Sequence, residues 1–160
     1  MTSIKPRQLW MATLAKASLE ALESRVAMLG ELPPYRFLRP PEIGLVMVQG
    51  RMDGSGEPFC VGEMTLTRCV VKLEADLDTG LDVDEGGGAI AGFGYVSGRS
   101  HRHAELAAIC DALLQHPVWY DPVQETVVEF LQTLAQQQKE IQQRQVEATK
   151  VNFFTLDRKQ

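Results

Sequence analysis

The sequence predicts an α+β fold with a small, mainly antiparallel sheet, packed helices and a long C-terminal helix or arm. Strand-like segments follow one another through the first half of the chain without a helical pattern between them, which favours antiparallel hairpins over βαβ units. Helical spacing of apolar residues occurs before and after these segments. With 160 residues, the chain fits one domain. We expect an α+β core over 1–121 and a C-terminal helix with a partner-docking tail over 122–160.

The first element is an amphipathic helix over Gln8–Leu29, in which apolar residues recur every three to four positions. Gly30 gives this helix a natural C-terminal stop. A short strand is then expected over Tyr35–Leu38, a turn over Arg39–Glu42, and a stronger strand over Gly44–Arg51. In the stronger strand apolar side chains point both ways, so we expect both of its faces to be covered.

The next strands are predicted over Phe59–Gly62 and Thr65–Leu73, after a turn at Met52–Pro58. Alternation in the second of these puts Cys69, Val71 and Leu73 on one face. The acidic and glycine-rich stretch Asp76–Gly88 is typical of an exposed loop.

Ile90–Val96 is predicted to be the last strand, and its Gly92 and Gly94 indicate a bulge or a close approach of another backbone. A helix then follows with Ser100 as its cap, and Pro117 ends it.

A connector is expected over Val118–Pro122, and a third helix begins near Pro122. Its apolar side is Val127, Val128, Phe130, Leu131 and Leu134, after which glutamines surround a single Ile141. A helix this polar either stands in solvent or lies on a partner. Adjacent aromatics near a terminus are exposed unless they dock, so we predict partner docking through Phe153, Phe154, Ile141 and Val151. The alternative is that the two phenylalanines fold back onto the sheet of the same chain.

Composition excludes several classes of protein. The formal net charge is −5, from 16 basic and 21 acidic residues, which argues against a nucleic-acid coat or a membrane-surface binder. No apolar run is long enough for a transmembrane helix and no secretory signal is recognisable, so we expect a cytoplasmic protein. The three cysteines are widely spaced and fit buried, reduced thiols.

The richest chemical cluster is Gly98–His103, at the predicted start of a helix. Unpaired N–H groups, a glycine and basic side chains can together form an anion site. Arg99 and His103 are the candidate ligands, joined by Arg51 and Arg68 from strand ends. The alternative is that Ser100 caps the helix while the basic side chains are solvated. No metal site is expected, and no catalytic residue is identified.

A series of short motifs runs through the chain, and their number, order and spacing together are specific. They are Arg7–Met11 with Leu14–Ala15, Glu42–Val46, Gly50–Met52 with Gly54 and Gly56–Glu57, Phe59 with Gly62–Glu63, Thr65–Arg68, Gly98–Arg99 with His103–Glu105, Asp111–Leu113, and Val151–Thr155. With these motifs the chain resembles the PhnG family of the bacterial carbon–phosphorus lyase system over nearly its full length. His101 departs from the family pattern, and the loop Asp76–Gly88 is longer than is typical of the family.

The resemblance implies an accessory subunit of a core complex with PhnH, PhnI and PhnJ, with PhnL and PhnK as further partners. Such a complex supports attack of a phosphonate on the ribose C1 of MgATP, with release of adenine. The resemblance implies no cofactor on this chain, MgATP as a substrate of the complex, and an iron–sulfur cluster only in a partner subunit. Two alternatives stay open: a stand-alone anion-binding domain, and a homo-oligomeric scaffold held by the glutamine-rich helix.

Overall fold

The structure is a computed structural model, and it describes residues 6–74 and 90–151. The predicted loop Asp76–Gly88 lies outside the described residues. The elements occur in this order: α1 (Pro6–Lys16), α2 (Leu19–Ala27), β1 (Tyr35–Arg51), β2 (Pro58–Leu73), β3 (Ala91–Ser97), α3 (His101–Leu113), α4 (Pro117–Val123), and α5 (Glu129–Ala148). This confirms the α+β class and the antiparallel sheet.

The N-terminal helical segment is two helices, so the single predicted helix Gln8–Leu29 is wrong. Ser18 has an extended backbone and caps α2, because its hydroxyl accepts a hydrogen bond from the N–H of Ala21 at 3.3 Å. The apolar spacing continues across this break, which is why periodicity alone suggested one helix. Leu14 of α1 and Leu22 of α2 are both buried in the core.

The sheet has the order β1–β2–β3 among the described residues, with antiparallel pairs throughout. The predicted turn at Arg39–Glu42 is wrong, because β1 runs through it without a break. The ladder is irregular between Phe37 and Glu42, and the stretch contains Pro40 and Pro41. Proline is tolerated here because β1 is an edge strand, and irregular edge positions are where sheets accept it.

The close backbone approach predicted at Gly92 and Gly94 is confirmed. A Cβ atom at Gly94 would lie 2.0 Å from the carbonyl oxygen of Ala104, and one at Gly92 would lie 2.0 Å from that of Ala108. Helix α3 therefore rests on β3 backbone to backbone. Ser100 caps this helix as predicted, accepting from the N–H of His103 at 3.3 Å.

The C-terminal helical segment begins at Pro117 instead of near Pro122, so the predicted connector Val118–Pro122 is wrong. The imidazole of His116 caps α4, and its Nδ1 accepts from the N–H of Val118 at 3.3 Å. After Pro122 a wider π-type turn over Gln124–Val128 links α4 to α5, as expected where a proline disturbs the regular ladder. Its Val127 and Val128 are buried, as the predicted apolar side required.

A buried carboxylate ties α1 to the rest of the core. Asp111 of α3 is fully buried, and its oxygens accept from Arg7 at 2.7 Å, from the indole of Trp10 at 2.9 Å and from the N–H of Phe93 at 2.9 Å. A buried charge needs this number of partners to offset its lost hydration. Asp111 therefore fixes α1 against α3 and β3.

Candidate functional site

The sheet continues as a two-stranded arm beyond the part that the helices cover. Strand β3 pairs with β2 only between Leu66 and Lys72. Residues 43–65 therefore form what we call the hairpin arm. Apart from one hydrogen bond from Gly98 to Thr65 at its base, β1 and β2 pair here only with each other among the described residues. From Thr65 to Pro58 the arm extends roughly 20 Å, at about 3.3 Å per residue.

A tight turn closes the end of the hairpin arm. Met52–Gly54 forms one short helical turn, and the N–H groups of Ser55 and Gly56 both donate to the carbonyl of Met52. Asp53 and Gly54 have φ values of +50° and +74°. Aspartate and glycine are the residues that tolerate this left-handed backbone, so the turn at Met52–Pro58 predicted from composition is confirmed.

Large apolar side chains are exposed on both faces of the hairpin arm. Leu45 and Met47 are 65% and 66% exposed, and they lie on the face that carries the buried Thr67 and Cys69 further along the sheet. Val46 and Met64 lie opposite each other on the other face, and both are exposed. The sequence predicted that both faces of this strand would be covered, whereas in the chain alone neither is.

Much of the hydrophobic stabilisation that the arm's apolar side chains could provide is not gained in the chain alone, because these side chains stay in contact with water. Leu45, Met47 and Val61 are each about two-thirds exposed, and Phe59 is half exposed. Complete burial of one such side chain contributes about 2 kcal/mol, so these four together leave on the order of 5 kcal/mol unrealised. Because an isolated two-stranded hairpin is marginally stable in water, this surface is suited to being covered by another protein.

Two of the four predicted anion ligands are tied to a neighbouring strand or helix. The Nε of Arg68 donates to Glu42 at 2.5 Å, and this hydrogen bond holds the pKa of the Glu42 carboxyl below its usual range. His103 is 6% exposed, and its Nε2 lies 2.8 Å from the carbonyl oxygen of Leu14. Since a carbonyl only accepts, that nitrogen carries the proton, and His103 joins α3 to α1.

The other two lie far apart. Arg51 is at the end of the hairpin arm, where it donates to the carbonyl of Gly56 at 3.2 Å. Arg99 is exposed at the start of α3, next to Gly98, whose N–H bonds the carbonyl of Thr65. The length of the arm, roughly 20 Å, separates them. The structure therefore does not bring the four predicted ligands to one place, and an anion-binding role for Arg99 stays a prediction.

Of the predicted docking residues, Ile141 and Val151 are exposed, at 54% and 67%. Phe153 and Phe154 lie outside the described residues. The glutamine-rich part of α5 projects its side chains into solvent, as the sequence suggested for a helix that the core does not support.

Sequence reasoning missed the hairpin arm as a functional feature. Its apolar residues have the same pattern as a buried strand, so the sequence predicts that the side chains of Leu45 and Met47 are covered. A signal was nevertheless present, because both strands of the arm are apolar while residues 6–74 and 90–151 contain one further strand, β3, which pairs with β2 only beyond the arm.

Residues 6–74 and 90–151 contain no group of three metal-ligating side chains close enough to hold an ion. None of the helices in that part of the chain is both long and apolar enough to cross a bilayer.

Comparison with known proteins gives a consistent result. The model of the family described as phosphonate metabolism protein PhnG matches residues 5–159. The chain is also 33% identical over 158 residues to the alpha-D-ribose 1-methylphosphonate 5-triphosphate synthase subunit PhnG of Rhizobium meliloti, strain 1021. That alignment covers 97% of this chain and 90% of the relative.

Proposed function

The chain belongs to the PhnG family of phosphonate metabolism proteins, and on that premise we propose that it is an accessory subunit of an alpha-D-ribose 1-methylphosphonate 5-triphosphate synthase. In this role it supports a reaction in which a phosphonate oxygen attacks the ribose C1 of MgATP and adenine leaves. The observation that carries the proposal is the near full-length match to a relative named as a subunit of that synthase. The proposed place of action is the cytoplasm.

The hairpin arm supports a subunit role because its exposed apolar surface is suited to contact with another protein. Its apolar side chains face outward on both sides, while charged residues within its strands are few: Glu63 and, at the end of the arm, Arg51. Interfaces of permanent complexes have this character, with an apolar centre depleted in charge. We propose that the arm docks on PhnI or PhnJ, and that Ile141, Val151, Phe153 and Phe154 form a second contact from the C-terminal end.

The proposed chemistry at the level of the complex needs MgATP as a substrate. An iron–sulfur cluster, where the pathway uses one, is assigned to a partner subunit. The part assigned to this chain is to hold partner subunits in place.

The first test is adenine release from MgATP and methylphosphonate by purified PhnI, PhnH and PhnL, with and without this chain. We expect release only when the chain is present. Equal release without it would remove the chain from this chemical step.

A second test separates docking from folding. Met47→Lys puts a charge on the hairpin arm, and Met28→Lys is the matched control, because the two methionines are 66% and 65% exposed and Met28 lies at the end of α2. We expect Met47→Lys to reduce co-purification with the partner subunits at least tenfold, and Met28→Lys to leave it unchanged. Equal recovery of both variants would contradict docking through the arm.

The same assay tests the C-terminal contact. Replacing Phe153 and Phe154 together by alanine should reduce co-purification while leaving the thermal unfolding of the isolated chain unchanged. Recovery at the level of the unmodified chain would exclude this contact.

A further inference from the structure

We propose that the free edge of β2 along the hairpin arm, Phe59–Met64, accepts an extended strand from a partner subunit. This strand would lie in line with β3, on the same side of β2. This inference rests on the proposed subunit role and names the form of the contact. Strand addition at an open edge supplies affinity through main-chain hydrogen bonds, and side-chain pockets then select the sequence.

The sheet narrows from three strands to two at the point where β3 ends, and we call this point the step. Strand β3 lies beside β2 as far as the pair Leu66 and Ser97. Gly98 then makes the last contact, its N–H donating to the carbonyl of Thr65 at 2.9 Å. With a φ of +93°, Gly98 turns the chain away into α3, and Thr67 holds this turn by donating to the carbonyl of Gly98 at 2.7 Å. The position beside β2 is therefore filled up to Thr65 and open beyond it.

The open side presents main-chain groups ready for pairing. The carbonyl of Thr65 and the N–H of Leu73 both point towards β3, since Gly98 and Ile90 are their partners. Backbone groups along a strand alternate in direction with a period of two residues, so the N–H and carbonyl of Glu63 point to the same side. No described residue pairs with Glu63 there. The register shift at Cys60–Gly62 leaves Val61 as an extra residue, so regular pairing centres on Glu63.

The free edge of β2 has fewer of the devices that usually block strand addition than the outer edge of β1. Sheet edges are protected by prolines, charged side chains and irregular pairing. The outer edge of β1 near the helices has all three, in Arg39, Pro40, Pro41 and Glu42. Between Phe59 and Met64, β2 has no proline, one charged residue and one irregular position at Val61, and its large apolar side chains are exposed.

Charge identifies the occupant as a strand of a different chain. Two copies of this chain paired antiparallel about Glu63 would place their Glu63 carboxylates directly opposite each other, which is unfavourable. Arg99 stands beside the step and is exposed, and it forms none of the ion pairs found among the described residues. The strand that fits is therefore apolar at alternate positions and has an acidic side chain or a terminal carboxylate near Arg99.

The test compares two substitutions of one residue. Glu63→Pro removes the outward N–H, whereas Glu63→Thr removes the same charge and keeps that N–H. In co-expression with the partner subunits, we expect Glu63→Pro to lower recovery of the complex at least tenfold and Glu63→Thr to stay within twofold of the unmodified chain. Equal recovery of Glu63→Pro would overturn strand addition.

Amide exchange of the unmodified chain gives a second measurement that does not depend on how well a proline variant folds. The Glu63 amide should exchange at least 100-fold more slowly in the complex than in the free chain. A complex that forms with Glu63 still exchanging freely, or with protection appearing at the outward amides of β1 instead, would overturn strand addition and leave the proposed function intact. Protection of Glu63 in a dimer of the free chain would assign the edge to a second copy. Failure of the unmodified chain to join any complex would overturn both proposals.

Discussion

The two halves of the sheet differ in what covers the same pair of strands. Near the helices, Cys69 and Val71 of β2 are fully buried between β3 and α3, and the fit is tight enough to exclude a side chain at Gly92 and Gly94. In the hairpin arm, Leu45 and Met47 have equally apolar side chains and no cover. Strand character and alternation therefore do not distinguish a core from a docking surface; the number of neighbouring elements does.

Stability should follow this division. We call β3, the helices and the part of β2 from Leu66 to Leu73 the helix-covered half. This half, with Asp111 and its partners, stabilises the fold of the free chain, whereas the hairpin arm contributes little to the free energy of unfolding until it is covered. Substitutions in the first half should unfold the chain, and substitutions in the second should change assembly alone.

The largest effect is expected from Asp111→Ala. The variant leaves the side chain of Trp10 and the N–H of Phe93 without their acceptor and Arg7 without its counter-ion. Breaking a buried pair in this way costs about 3–5 kcal/mol of unfolding free energy. Glu42→Ala, which removes an exposed pair with Arg68, is the control and should leave the unfolding free energy close to that of the unmodified chain, since exposed ion pairs contribute little. Urea titration followed by circular dichroism measures both, and similar costs for the two variants would refute the division.

Gly94→Ala should come next. Its methyl group would overlap the carbonyl of Ala104, so α3 must move away from β3 at a cost of about 1–3 kcal/mol or more. Gly44→Ala in the hairpin arm is the matched control, since nothing lies within 4 Å of its added methyl group. We expect the melting temperature of the control to stay close to that of the unmodified chain. A larger loss in the control than in Gly94→Ala would mean that the arm is part of the stabilising core.

Alkaline pH should destabilise the helix-covered half. Burial raises the pKa of Cys110 to about 12 and that of Cys69 to about 11, from 9.0 for a free thiol. The unfolded chain therefore loses these protons at a lower pH than the folded chain, and unfolding becomes more favourable as pH rises above 9. Burial also raises the pKa of Tyr35 to about 12, with its hydrogen bond to Glu105 adding to the shift. Unfolding free energy should thus be constant from pH 7 to 8.5 and fall from pH 9 to 12. A flat profile across that range would show that these groups titrate equally in both states.

The smallest effect on stability is expected from labelling Cys60. This thiol is exposed in the hairpin arm, so the prediction of burial is wrong for Cys60, whereas it is confirmed for Cys69 and Cys110. Ellman's reagent should modify one thiol quickly in the folded chain and the other two only after unfolding, with no change in melting temperature on the first modification. In the complex, Cys60 should react more slowly, and an unchanged rate would indicate that this part of the arm stays uncovered.

Local signals predicted the helix-covered half well. Alternation identified the buried face of β2, Ser100 was recognised as a cap, and Gly92 and Gly94 indicated the close contact with α3. The errors come from features whose meaning depends on tertiary position. Ser18 breaks a helix whose apolar spacing continues past it.

The turn predicted at the proline pair and the anion ligand predicted at His103 lacked the same information, which is the tertiary position of these residues. Pro40 and Pro41 read as a turn unless β1 is known to be an edge strand. His103 has the sequence position of an anion ligand at a helix start, but in the fold its Nε2 bonds the carbonyl of Leu14 in α1. The hairpin arm was not identified from sequence for a different reason, because residues that face a partner have the same composition as residues that face a core. From one chain alone, the pattern cannot say which chain supplies the cover.

The uncovered hairpin also has a consequence for protein supply in the cell. A chain made in excess of its partners would display an apolar, open-edged hairpin, which chaperones and proteases bind and which promotes aggregation. The amount of this chain that persists should then be set by the amount of its partners and not by its own rate of synthesis. In a pulse-chase measurement we expect a short half-life when the chain is expressed alone and a long one when the partner subunits are co-expressed, so that the arm acts as a built-in control of stoichiometry.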